Sequence, residues 1–213
     1  LKVFPPYFGQ SLHDLAWRTV GSMDPDESIA HLSKIRDTLP IELGGFEGGD
    51  PSDTGEGLSR PRCNGLVHFL VLVTSSMRSV RSPASKLEAL RMLEWASRFV
   101  DDDIVMQRLV PYVSAIVSDD NESSLVRGSA IHILSSMLAQ IRHFPLSDQH
   151  IFPEYILPAL APASSEAAAE FVRVAYAANV GSLAETAQRF LDIAHERRLR
   201  ESQGRLAVGA GEG

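Results

Sequence analysis

Cysteine is nearly absent from this sequence, in which Cys63 is the only one among 213 residues. A single thiol excludes an internal disulfide and a cysteine-based zinc site, and it favours a reducing compartment.

Long apolar runs are missing too. The longest, GLVHFLVLVTSSM at 65–77, contains His68 and falls short of the ~18 residues that cross a bilayer. We therefore expect a buried helix at this run and no transmembrane segment. No signal-peptide pattern is recognisable, and a start at Leu1 rather than Met is expected of a segment of a longer protein.

Aromatic residues are also few, at 7% of the chain. No segment alternates between apolar and polar residues over the length of a strand. This composition argues against a β-sandwich or barrel, because strands are enriched in aromatic and β-branched residues. Helical periods, in contrast, follow one another from residue 64 onward. The sequence therefore predicts an all-α fold.

Excess positive charge is lacking as well, since the formal net charge is −7. A nucleic-acid-binding protein is usually basic or carries a dense basic face. Residues 60–100 do carry a net charge of +5, but their cations are spread over two predicted helices without interleaved aromatics. The cations of these two helices are Arg78, Arg81, Lys86, Arg91 and Arg98. We expect no nucleic-acid partner, and we interpret this region as a solvated face or a contact for an acidic protein partner.

Catalytic and metal-binding motifs are missing too. Protein kinases need a glycine-rich loop, a strand lysine and HRD-type and DFG-type loops, none of which occurs here. The glycines at 44–57 form neither GxGxxG nor a loop ending in GK[S/T], and the seven histidines never adopt HxxxH or HExxH spacing. The run Asp101–Asp103 precedes a predicted helix, where carboxylates cap free amides. We expect no catalytic residue, cofactor or metal site in this chain.

What the sequence does contain is helical periodicity, which divides it into four parts. We predict N-terminal helices leading into the repeats at 1–43, a flexible Gly- and Asp-rich insertion at 44–62, repeats at 63–200 and a disordered tail at 201–213. The first part contains helical patterns at 4–20 and at 25–39. The helices predicted within the repeats lie near 64–80, 84–99, 103–118, 123–142, 151–161, 166–180 and 182–200.

A repeat becomes visible when basic and alanine positions are superposed. SKLEALRML at 85–93 aligns with VRGSAIHIL at 126–134, which places Lys86 on Arg127 and Ala89 on Ala130; Arg173 of VRVAYAANV follows. The basic positions are 41 and 46 residues apart, within the range of HEAT and armadillo repeats.

Two prolines give nearly the same period independently. Pro111 and Pro158, each in the first helix of its unit, are 47 residues apart. A helix pair of this size cannot bury its apolar stripe alone, so neighbouring pairs must stack and share a core. The sequence therefore predicts a HEAT-type α-solenoid of stacked antiparallel helix pairs.

The turns between paired helices differ from one unit to the next. In HEAT units an Asp in the turn commonly pairs with an Arg early in the second helix, and Asp119 or Asp120 with Arg127 fits this pattern. The next unit has Ser164 and Ser165 at the corresponding place. We expect that turn to be stabilised differently.

Several segments in order resemble one family closely. NGLVHFLVLVTSSMRSV, SKLEALRMLEWAS and RLVPYVSAIVSD are followed by FPEYILP, VR, AYA, LAETA and RFL, the last five between 152 and 191. These motifs are similar to the HEAT-repeat region of the regulatory serine/threonine-protein-kinase subunit of the class III phosphatidylinositol 3-kinase complex, a vacuolar-protein-sorting scaffold. FPPYFGQSLHDLAW at 4–17 resembles the segment that leads into the family's repeats.

The resemblance implies a context for the chain. Family members carry an N-terminal kinase-like domain, the helical repeats and a C-terminal WD-repeat propeller, and only the repeats correspond to this sequence. The implied partners are the lipid kinase catalytic subunit and Beclin-like coiled-coil subunits. The implied location is cytoplasmic and peripheral on endosomal, vacuolar or autophagic membranes, with membrane association through the complex.

Two other functions stay open at this point. The repeats could regulate an active serine/threonine protein kinase, or they could belong to an unrelated HEAT adapter of nuclear transport or phosphatase assembly. In all three cases we expect the last complete repeat to be held by Ile156 or Leu157 packing against Val172 and Tyr176. The residues predicted to form the repeat core are Ala89, Pro111, Arg127, Ala130, Tyr155, Leu157, Pro158, Val172, Arg173, Tyr176 and Leu183.

Overall fold

The computed structural model describes residues 24–38 and 64–209, which form seven helices and, within these two ranges, no strand. The predicted helix at 4–20 and the predicted insertion at 44–62 lie outside the described residues. The helices are α1 (Pro25–Thr38), α2 (Asn64–Met77), α3 (Pro83–Ser97), α4 (Asp102–Ile104, Val105–Leu109 and Val110–Ser118), α5 (Ser124–Gln140), α6 (Phe152–Ile156 and Leu157–Ser164, after the 3-10 turn Leu146–His150) and α7 (Glu170–Gly209).

Helices α2/α3, α4/α5 and α6/α7 form three pairs that stack into a solenoid. The second helices α3, α5 and α7 pack side by side, and the first helices α4 and α6 do the same. Helix α1 packs on α2 and α3. Pairing is antiparallel: Asp102, at the start of α4, accepts hydrogen bonds from the amides of Arg142 and His143, just beyond the end of α5. The prediction of an all-α repeat solenoid is therefore confirmed.

The two prolines that mark the period deform their helices in the same way. A π-helical turn precedes each: Val105–Leu109 before Pro111 and Phe152–Ile156 before Pro158. The residue just before each proline donates its amide to the carbonyl five residues earlier instead of four. A proline ring displaces the carbonyl four residues before it, and a π turn accommodates that displacement. Because the same deformation occurs at the corresponding position of α4 and α6, it supports the alignment of the two repeat units.

The last helix is longer than predicted. The sequence predicts separate helices at 166–180 and 182–200, but α7 continues through Gly181. The separation is wrong because the buried stripe of α7 continues past the glycine at helical spacing, and packing against α5 outweighs the intrinsic cost of one glycine. That stripe consists of Val172, Asn179, Leu183, Thr186 and Phe190. The predicted disorder of 201–213 is also wrong for 201–209, which extend α7; residues 210–213 lie outside the described part.

The residues predicted to form the repeat core fall into two groups. The buried or half-buried ones are Ala89, Pro111, Arg127, Ala130, Val172, Tyr176 and Leu183. The exposed ones, whose predicted core position is wrong, are Tyr155, Leu157, Pro158 and Arg173. In α6 the buried stripe is Phe152, Ile156, Leu160 and Ala163. Leu157 lies beside this stripe, on the solvent side, and is 52% exposed.

Ile156 and Leu157 give a direct test of this register. Ile156→Ala should destabilise the protein by about 2–5 kcal/mol, because it leaves a cavity in a fully buried position. Leu157→Ala is the matched control and should cost much less, because half of its side chain already contacts water. Urea unfolding of both variants, followed by circular dichroism, measures the difference. Equal losses, or a larger loss for the Leu157 variant, would contradict the register of α6.

Candidate functional site

The turn between α4 and α5 is held by a buried arginine. Arg127, 8% exposed, donates from Nε to the carbonyl oxygen of Val117 at 3.1 Å and from Nη1 to Asp120 Oδ1 at 2.9 Å. Ser123 caps α5, since its Oγ accepts from the amide of Val126 at 3.3 Å. The sequence proposed Asp119 or Asp120 as the partner of the arginine, and the structure selects Asp120.

Asp119 has a separate role in the same turn. Its Oδ1 accepts from the backbone amide of Asn121 at 2.9 Å and from the side-chain amide of Asn121 at 3.0 Å. The backbone hydrogen bond, followed by the side-chain one, lowers the pKa of Asp119. The carboxylate therefore closes a local turn while Asp120 binds the arginine.

The three superposed basic residues make different contacts. Lys86 forms an ion pair with Glu122, in the turn before α5, and so joins one unit to the next. Arg127 binds within its own turn, and Arg173 is exposed. The turn before α7 uses a serine instead, because Ser165 Oγ accepts from the amide of Ala167 at 3.2 Å. Shared spacing in the sequence thus does not imply a shared contact.

Polar side chains join each second helix to its neighbour. Between α1 and α3, Arg36 donates to Glu88 at 2.6 Å. Between α3 and α5, Ser136 Oγ donates to Glu94 Oε1 at 2.8 Å. Between α5 and α7, His132 Nδ1 lies 3.1 Å from Asn179 Oδ1. A hydrogen bond has strict distance and angle requirements that apolar packing lacks, so these pairs fix how neighbouring helices slide on one another.

Side chains of α7 donate hydrogen bonds to backbone carbonyls at the C-terminal end of α5. Arg189 donates to the carbonyl oxygens of Ala139 at 2.8 Å and Leu138 at 3.0 Å. Arg197 donates to the carbonyl of Phe144, over whose ring its guanidinium also lies. Cations are favourable at a helix C-terminus, where carbonyls have no intrahelical partner. Arg189 and Arg197 therefore stabilise the C-terminal end of α5 and the segment that follows it.

The run Asp101–Asp103 was expected to complement the dipole of α4 and to cap its free amides. Two of its carboxylates do lie in the first turn of α4, but the expected side-chain cap is wrong for Asp101. Asp101 occupies the N-cap position without a side-chain cap hydrogen bond. Asp102 reaches instead to the amides of Arg142 and His143, at 3.0 and 2.9 Å. Those amides follow the last turn of α5, so the carboxylate ties the two ends of one helix pair together.

A groove lies between the first helices α2 and α4. It has a volume of about 340 Å³ and is lined on its apolar part by Val67, Leu70, Val71, Ile104 and Leu109. Two exposed cations, Arg78 and Arg108, line it as well, together with Thr74 and Tyr112. Among the described residues that line it there is no carboxylate. We call this surface the basic groove.

Tyr112 joins the two walls of the basic groove. Its hydroxyl donates to the carbonyl oxygen of Thr74 at 3.2 Å, across from α4 to α2. Burial raises the pKa of Tyr112 to about 12, against the opposing effect of the nearby Arg78 charge. The neutral phenol is therefore the form that this contact favours.

The raised pKa of Tyr112 predicts a loss of stability at alkaline pH. The folded state keeps its proton up to about pH 12, whereas an unfolded tyrosine loses it near pH 10, so stability falls as pH rises from about 10 to about 12. Tyr112→Phe should lower stability at pH 8 by about 0.5–1.5 kcal/mol and flatten the alkaline decline. Urea unfolding at pH 8 and pH 11 measures both effects, with Tyr155→Phe at an exposed tyrosine as the control. An unchanged pH dependence in Tyr112→Phe would refute this assignment.

Arg127 and Asp120 should contribute unequally to stability, because the arginine is buried and the aspartate is exposed. Arg127→Met should cost about 1.5–3 kcal/mol, because it removes a charged donor from the carbonyl of Val117 in a buried setting. Asp120→Asn should cost less than about 1 kcal/mol, because the carboxylate is largely exposed. Thermal and urea unfolding of both variants is the measurement. A larger effect at Asp120 would show that the ion pair, and not the backbone contact, holds the turn.

Some of these residues were missed by the sequence analysis. Asn179 carried a usable signal, since it is a polar residue within the apolar stripe from Val172 to Leu183, and buried polar groups are normally hydrogen-bonded. Arg78 was named among the cations of residues 60–100, but nothing in the sequence paired it with Arg108. Arg78 lies in the turn after α2 and Arg108 lies 30 residues later, in α4, so only the packing of α2 beside α4 brings them to one groove.

Neither a membrane-spanning helix nor a metal-binding cluster occurs among the described residues. No helix within 24–38 or 64–209 combines the length and the hydropathy that crossing a membrane requires. In the same part of the chain, His, Cys, Asp and Glu side chains do not gather in threes as a metal ion would need.

Relatives of this chain share its central region. It is 41% identical over 132 residues to the serine/threonine-protein kinase VPS15 of Arabidopsis thaliana, an alignment covering 61% of this chain and 8% of the relative. It is 34% identical over 141 residues to a probable serine/threonine-protein kinase vps15 of Dictyostelium discoideum, covering 66% and 7%. The match to serine/threonine-protein kinase VPS15 of Saccharomyces cerevisiae is 28% identical over 127 residues, covering 59% and 9%. The chain thus spans less than a tenth of the length of these curated relatives.

A family model gives the assignment. The model described as PIK3R4-like, middle domain, matches residues 69–209, from the second turn of α2 to the end of α7. This range contains all the contacts between the stacked pairs α2/α3, α4/α5 and α6/α7 described above, and it covers well over half of the chain. The chain therefore belongs to the PIK3R4-like middle-domain family.

Proposed function

We propose that this chain is a HEAT-type scaffold segment of a class III phosphatidylinositol 3-kinase complex. In this role it positions the lipid kinase catalytic subunit relative to Beclin-like coiled-coil subunits, for endosomal or vacuolar sorting and for autophagy. The family assignment supports the context, because the match covers the whole stack of helix pairs. The chemistry of the complex belongs to the partners, and the segment supplies geometry.

The observation that carries the proposal is the set of polar contacts that join the second helices α3, α5 and α7 to one another and to α1. Glu88, Glu94 and Asn179 each accept from, or face, a side chain on the neighbouring helix. A stack joined only by apolar contacts could slide, whereas hydrogen-bonded pairs hold a defined register. A scaffold needs this property, since it must present binding surfaces at fixed separations.

The proposal includes a location and excludes a cofactor. We place the chain in the cytoplasm, peripherally on endosomal, vacuolar or autophagic membranes, with attachment through the assembled complex. We assign no cofactor, metal or catalytic residue to these helices. A WD-repeat propeller and a kinase-like domain belong, in this proposal, to other parts of the longer protein.

Co-expression with the lipid kinase catalytic subunit and a Beclin-like subunit tests the scaffold role. We expect the 213-residue chain to co-purify with them on size-exclusion chromatography. Ile156→Ala, which loosens the α6/α7 pair, should reduce the recovered complex by more than Leu157→Ala, in which the change is on the surface. Absence of both subunits from the purified unmodified chain would reject the proposal.

A second candidate is favoured by the names of the relatives, which are serine/threonine-protein kinases. In that case the repeats regulate an active protein kinase in the longer protein. We expect the 213-residue chain itself to bind no ATP, and titration calorimetry with ATP and Mg²⁺ checks this. Saturable binding at micromolar ATP would place catalytic machinery within these helices and would overturn the scaffold proposal.

A further inference from the structure

The basic groove between α2 and α4 combines an apolar lining with two cations, Arg78 and Arg108. Among the described residues, neither Arg78 nor Arg108 forms an ion pair or a hydrogen bond. Other cations of the solenoid are engaged, for example Arg36 with Glu88 and Lys86 with Glu122. Arg142 and Arg173 are also exposed, so what distinguishes Arg78 and Arg108 among the described residues is that both line the same apolar groove.

Charge makes the groove distinct from the protein as a whole. The chain has a net charge of −7, yet the described part of the groove lining contains two arginines and no carboxylate. Arginine presents a planar set of donors that matches a carboxylate in a two-bond arrangement. An acidic ligand is thus complementary to this surface and would be repelled by much of the remaining surface.

The apolar part of the groove indicates what else the ligand carries. Val71 is 45% exposed in the groove although it is a large aliphatic residue. The volume of about 340 Å³ is at the lower end of the roughly 300–1,000 Å³ found for ligand pockets, so it accommodates a few side chains. A groove between two helices is also a common docking place for an amphipathic segment.

We propose that the basic groove binds an acidic, amphipathic segment of a protein partner. Apolar side chains of the segment contact Val71 and the buried lining beneath it, and its carboxylates pair with Arg78 and Arg108. An anionic lipid surface fits less well, because a bilayer is flat and cannot enter a concave apolar groove between two helices. This inference rests on the proposed scaffold function, since it specifies the chemistry of one partner contact.

Site-specific crosslinking tests the groove in the assembled complex. A photoreactive phenylalanine analogue replaces Val71 in the full chain, which is co-expressed with the lipid kinase catalytic subunit and a Beclin-like subunit. We expect crosslinks, located by mass spectrometry, to a segment of one subunit that contains both acidic and apolar residues. Crosslinks to a segment without acidic residues, or no crosslink in a complex that still co-purifies, would overturn the groove proposal and leave the scaffold function standing.

Paired charge variants separate the groove from general electrostatics. Arg78→Gln with Arg108→Gln should weaken recovery of the crosslinked subunit about tenfold, as expected for losing one or two charge-assisted pairs at an interface. Arg142→Gln with Arg173→Gln removes the same charge from other exposed positions and should change recovery little. Thermal unfolding should be unaltered in both. Equal weakening by the two double variants would contradict a specific role for the groove.

Two further outcomes are decisive. If no subunit co-purifies with the unmodified chain, both the scaffold function and this inference fail. Flotation with phosphatidylcholine vesicles, with and without phosphatidylserine, covers the lipid alternative. Binding that depends on phosphatidylserine and is lost in the Arg78/Arg108 variant, without any crosslink to a subunit, would assign the groove to an anionic membrane and overturn the proposal.

Discussion

Helix α5 is covered by α3, α4 and α7, and this three-sided burial is the constraint on which the rest of the solenoid depends. A helix in that position cannot be simply amphipathic, because most of its circumference faces another helix. Its sequence shows the consequence at Gly128. A Cβ atom there would lie 2.5 Å from Cε1 of Phe171, so only a residue without a side chain lets α7 approach this closely without displacing the ring. The same packing buries Arg127, whose guanidinium donates a hydrogen bond to the carbonyl oxygen of Val117.

Polar contacts at the helix interfaces follow from the same geometry. Apolar side chains on neighbouring second helices stabilise the stack, but they tolerate small changes of register. Glu94 with Ser136, and His132 with Asn179, do not, because a shift of one residue would leave partly buried groups without partners. Their net contribution to stability is modest; their effect is to select one arrangement among several of similar packing energy. A stack of repeats gains a fixed curvature in this way.

The features of this structure that could be predicted are those that depend on sequence motifs and their spacing. Helix ends with breakers or caps, and the turn arginine with its aspartate, depend on residues close together in the chain. The proline period is visible as a spacing of 47 residues. What could not be predicted depends on packing. The choice between the adjacent apolar residues Ile156 and Leu157 depends on which side of α6 is covered by neighbouring helices, and the continuity of α7 through Gly181 depends on the neighbouring α5. Likewise, nothing local distinguishes Arg78 and Arg108 from other surface arginines.

The two layers of the solenoid are consequently suited to different tasks. In the layer of second helices, side chains form hydrogen bonds between α3 and α5 and between α5 and α7, so we expect that layer to be rigid. In the layer of first helices, α2 and α4 approach each other less closely, and one hydrogen bond from Tyr112 to Thr74 spans the space between them. Cations and an aliphatic side chain remain exposed in that space, where none of the seven described helices covers them. Rigidity in one layer is therefore what keeps the open surface of the other at a constant shape, and a surface of constant shape binds a partner without the entropy cost of ordering itself first.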